Sequence, residues 1–86
     1  LNPLDYNETK NMIEFRLKQA GAVSGKEIFT EKAMLMIYQY TQGYPRKIAV
    51  ICHNLLEELV MRDRKIIEED IVNEVIEKDG KVVLVS

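Results

Sequence analysis

Tryptophan is absent from these 86 residues, and cysteine and histidine occur once each. The single cysteine, Cys52, excludes an internal disulfide and suits a reducing, cytoplasmic setting. Cys52 and His53 are adjacent, so on a helix they point to different faces and cannot build a zinc site; no metal site is expected. No apolar run approaches the ~20 residues of a spanning helix, and no signal peptide opens the chain, which argues against membrane insertion by this segment. Neither sign of charge dominates. A formal charge of -2 does not indicate a broad nucleic-acid surface, although a local basic patch stays open. No carboxylate pair, metal set or nucleophile–base pair stands out, so no activity is expected of this chain alone.

What is present reads as one small globular domain, with 47% hydrophobic and 30% charged residues. The chain begins Leu1-Asn2-Pro3, and the expectation is a piece of a longer protein or one that has been processed or trimmed. Four helical patterns are predicted, over about 5–20, 30–42, 45–62 and 68–78. Asp5 and Glu8 form a capping box for the first, with Met12, Ile13, Leu17 and Ala20 on one face and Gly21 as its stop. Ala22 to Phe29 reads as a loop pinned by Ile28 or Phe29. Thr30 caps the second helix, whose inner face is Ala33, Met34, Ile37, Tyr38 and Thr41. The third carries the widest stripe: Ile48, Ile51, Cys52, Leu55, Leu56, Leu59 and Val60. Acidic Glu68, Glu69 and Asp70 complement the dipole of the fourth, and Ile71, Val72, Val75 and Ile76 form its buried face. Asp79-Gly80 is a turn signal, and residues 81–86 read as a β-prone tail or the start of a linker. The expected fold class is all-α: a small four-helix bundle over residues 1–80, with that tail.

Gly43-Tyr44-Pro45-Arg46 is the most informative stretch. Gly43 serves as a hinge that ends the second helix, and Pro45 starts the third with a preset φ. Arg46 then stands in the first turn, where free amides and the positive dipole end favour an anion, most often a phosphate.

Leu4, Glu8-Thr9, Arg16-Leu17, Ala20-Gly21, Ile28-Phe29, Ala33 and Gly43-Tyr44-Pro45-Arg46 follow one another in an order that resembles the C-terminal helical lid of AAA+ ATPases. The likeness is greatest to the ExeA type (general secretion pathway protein A and related transposition ATPases), with origin-recognition ATPases more distant. It covers Leu4 to about Ile76, and its most specific element is the G-x-P-R tetrapeptide. In that family the arginine of the tetrapeptide is sensor 2, which reaches the γ-phosphate of ATP on a neighbouring α/β domain and couples nucleotide state to lid movement. The resemblance carries that role onto Arg46 alone; Pro45 and Tyr44 are further nucleotide-binding candidates, with Tyr44 either packing near the adenine or covering the helix junction. It implies ATP and Mg held mainly by an N-terminal P-loop domain, and neighbouring subunits in an oligomer. Met12 and Ala49 depart from the family pattern, standing where these lids often have an aromatic residue and an asparagine. No G-x-x-x-x-G-K-[ST] loop occurs here, so hydrolysis would need the other domain.

The competing expectation is a free-standing helical module that binds protein or DNA without nucleotide. Arg46, Lys47, Arg62, Arg64 and Lys65 would then form a basic surface. The apolar third helix argues against exposure in a groove.

Overall fold

The computed structural model describes residues 2–20 and 29–85, with side chains described as far as residue 80. Four helices follow in order: α1 Tyr6–Gln19, α2 Glu31–Thr41, α3 Pro45–Met61 and α4 Glu69–Val85. No strand occurs among the described residues, and the architecture is an all-α bundle.

Local chemistry sets the helix starts. The Glu8 amide donates to Asp5 Oδ1 at 2.8 Å and the Asp5 amide to Glu8 Oε1 at 3.0 Å, closing the expected capping box. Thr30 Oγ1 accepts from the Ala33 amide at 3.1 Å. Pro45 occupies the first position of α3.

The apolar stripes then meet. Each of α2 and α3 packs against the other three helices. Ile13, Leu17, Ala33, Ile37, Ile48, Leu55, Ile67, Ile71 and Val72 are completely buried. Phe29, the described half of the predicted Ile28-or-Phe29 pin, is buried and forms a parallel bridge with Ile67. The Thr30 amide donates to the Ile67 carbonyl at 3.2 Å, tying the start of α2 to the start of α4. The stop at Gly21 lies outside the described residues.

Three positions differ from the sequence expectation. Ala20 is exposed as the C-cap of α1 rather than buried. Val60 is 78% exposed, because it lies about 80° round the helix from Cys52 and has rotated off the stripe. The third is the tail, which is helical: α4 runs through Asp79-Gly80 to Val85, where a turn and a β-prone segment were expected. A helix satisfies these backbone groups within the segment, whereas a strand needs a partner and none is described. Valine loses only a few tenths of a kcal/mol in a helix relative to good helix formers. Tyr40 of α2 donates its hydroxyl to Asp79, holding this part of α4 against the bundle.

Candidate functional site

The candidate site is built at the junction of α2 and α3. Two successive residues with positive φ turn the chain there, Gln42 at +53° and Gly43 at +82°. Gln42 is the left-handed C-cap, and its amide donates to the Tyr38 carbonyl at 2.7 Å. Gly43 therefore follows the closing residue instead of being it, and it is buried. Thr41, also buried, donates its hydroxyl to the Ile37 carbonyl at 2.8 Å, and its Oγ1 accepts from the Gly43 amide at 3.4 Å. The Tyr44 amide donates to the Thr41 carbonyl at 3.1 Å, and the Tyr44 carbonyl accepts from the Ile48 amide at 3.0 Å. The turn is thus pinned on both sides of Pro45.

This turn delivers Arg46 to the first turn of α3 on an exposed corner. Unlike α1 and α2, α3 has no side-chain cap and no acidic residue in its first turn. The leading amides and the dipole are left uncompensated, and the local field favours an anion. Among the described residues Arg46 forms no ion pair. Tyr44 is 44% exposed beside it, and Pro45 is half-buried. The ammonium of Lys47 lies 5.8 Å from the Tyr40 ring centroid, a cation–π contact that engages it within the domain. The Asp79 carboxylate that accepts the Tyr40 hydroxyl raises the pKa of that phenol above its ordinary value. Neither Tyr40 contact is legible from sequence spacing.

Of the other residues named for a basic surface, Arg62 and Arg64 are committed elsewhere, while Lys65 forms no ion pair among the described residues. Arg62 pairs with Glu58 at 2.9 Å and with Glu74, while Arg64 pairs with Asp70 at 2.9 Å and with Glu68. Arg62 stands sixteen residues beyond Arg46, about 24 Å along the axis, so no continuous basic surface joins them. His53 faces outward and meets Glu57 at 3.1 Å. No group of metal-binding side chains forms among the described residues. Cys52 is buried, and desolvation pushes its thiol up to about 11, opposed by the charge of Arg16. That thiol is no nucleophile at neutral pH.

Comparison with known proteins adds one relative. The chain is 36% identical to General secretion pathway protein A of Aeromonas hydrophila over 72 residues. The match takes in 83% of this chain and 13% of that protein, so the chain spans a small part of its relative's length. No protein-family description matches the chain, and no solved structure matches it.

Proposed function

We propose that this chain is the C-terminal lid of an AAA+ ATPase of the ExeA type. In this reading Arg46 acts as the sensor 2 arginine toward ATP, with ATP and Mg bound mainly by a P-loop domain outside this chain. The carrying observation is Arg46 itself, exposed in the uncapped first turn of α3 with no ion-pair partner among the described residues. A guanidinium there makes charge-assisted hydrogen bonds to phosphate oxygens and stays charged at cellular pH. The similarity to General secretion pathway protein A supports the same family.

Mechanistically, the lid senses whether the γ-phosphate is present. With ATP bound, Arg46 and the α3 amides draw the bundle toward the nucleotide; after hydrolysis and phosphate release that attraction is lost and the lid relaxes. Pro45 fixes the helix start, and Tyr44 borders the nucleotide. The interaction-module reading is weakened, because Ile48, Ile51, Cys52 and Leu55 are buried and Arg62 and Arg64 are already paired.

The test is Arg46→Ala in the full-length protein. A hydrogen bond to a charged group contributes about 1.5–3 kcal/mol, so turnover should fall roughly 10- to 150-fold. Stability should change by no more than about 0.5 kcal/mol, as for other exposed sites. Unchanged turnover together with unchanged nucleotide affinity removes Arg46 from the site.

A further inference from the structure

Gly43 also seats another part of the chain. The Leu4 amide donates to the Gly43 carbonyl at 2.7 Å. A Cβ on Gly43 would lie 1.9 Å from the Leu4 carbonyl oxygen and 2.9 Å from Leu4 N and C, so only glycine admits this crossing. Its φ of +82° adds an independent demand for glycine. Just beyond, Asp5 begins the capped α1, and Tyr6 packs edge-on to Tyr38 of α2 with centroids 5.6 Å apart. The segment leading into α1 is therefore fastened to both the α2–α3 turn and the body of α2.

From Gly43 the path to Arg46 has little freedom. Tyr44 is held by Thr41 on one side and Ile48 on the other, and the Pro45 ring fixes its own φ. A displacement of Leu4 therefore meets a turn hydrogen-bonded on both sides of Pro45. We propose that the Leu4–Gly43 contact is a positioning clamp, through which the backbone leading into the domain sets the placement of the α3 N-terminus and of Arg46. Leu4 and Gly43 are positioning residues in this scheme; neither touches a ligand. By linkage, a pull on the segment around Leu4 biases Arg46, and an anion held by Arg46 biases that segment equally. What Arg46 meets rests on the lid reading, whereas the clamp does not.

The experiment uses the whole 86-residue chain, assembled by ligation at Cys52, with the Leu4 amide replaced by an ester. This deletes one N–H and leaves the side chain in place. Amide shifts and hydrogen exchange are compared by NMR with the unmodified chain. Resonances from Tyr44 to Ile48 should move, and exchange at the Ile48 amide should rise about fivefold, the equivalent of a lost hydrogen bond, while Ile71 to Ile76 keep their shifts and rates. Uniformly faster exchange across the bundle would mark the contact as merely stabilising and overturn the clamp. So would unchanged 44–48 resonances, or a Leu4 amide that exchanges at the open-chain rate in the unmodified protein. Should the ester chain not fold, a chain starting at Asp5 decides: altered 44–48 amides support the clamp, and native ones overturn it. No nucleotide enters these measurements, so failure of the clamp and failure of the lid reading are separate results.

Discussion

At Cys52, burial decides the chemistry. A thiol displaced from near 9 to about 11 is roughly a hundredfold less ionised at pH 8. Modification by a thiol reagent should be slower than for free cysteine by at least that factor and should follow unfolding; rapid reaction of the native chain would contradict the packing. The sign of the pH effect follows. The unfolded thiol loses its proton first, so this contribution to stability is complete below about pH 9 and declines as pH rises toward 11. Cys52→Ala should remove that part of the alkaline slope in chemical denaturation. Thr9 presents the opposite case, a completely buried hydroxyl with no hydrogen-bond partner among the described residues. Such a group costs about 1–3 kcal/mol of desolvation. Thr9→Val should therefore leave stability unchanged or raise it in a urea melt, and a loss beyond about 1 kcal/mol would reveal a partner. The inertness of Cys52 was legible from its place in the α3 stripe. The orphaned Thr9 hydroxyl was not, because neighbours brought up from other helices decide whether a hydroxyl is satisfied.

At the scale of the helices, caps and periodicity carried most of the information. Asp5-x-x-Glu8, Thr30 and Pro45 each mark a helix start where the bundle has one. Local rules failed where two segments compete for one backbone. Asp79-Gly80 has turn chemistry and 82–85 has β-prone side chains, yet α4 continues because nothing described offers that segment a strand to pair with. A Cβ at Gly80 would meet nothing within 4 Å. Gly80→Ala should then stabilise the chain by about 0.5–1 kcal/mol through helix propensity and reduced unfolded-state entropy. A lower thermal midpoint would show that the helix does not pass through this position. Gly43 is the contrary case: left-handed φ and the Leu4 backbone both exclude a side chain there. Sequence alone indicates a helix stop at Gly43, but it cannot indicate the segment that crosses over it.

At the scale of the molecule, the start of α3 has no side-chain cap and no acidic residue in its first turn, and Arg46 stands on it beside a turn hydrogen-bonded to Thr41 and Leu4. The tetrapeptide made that helix start visible in the sequence. The pairing of Arg62 with Glu74 and of Arg64 with Asp70 depended on the fold. The lid reading makes Arg46 a reporter of the γ-phosphate, and that claim is tested most directly by the Arg46 side-chain Nε–H resonance in the full-length protein. The account predicts a distinct resonance, protected from solvent exchange, with a non-hydrolysable ATP analogue and Mg, and reversion to the nucleotide-free position with ADP. Identical resonances in the two nucleotide states would contradict it.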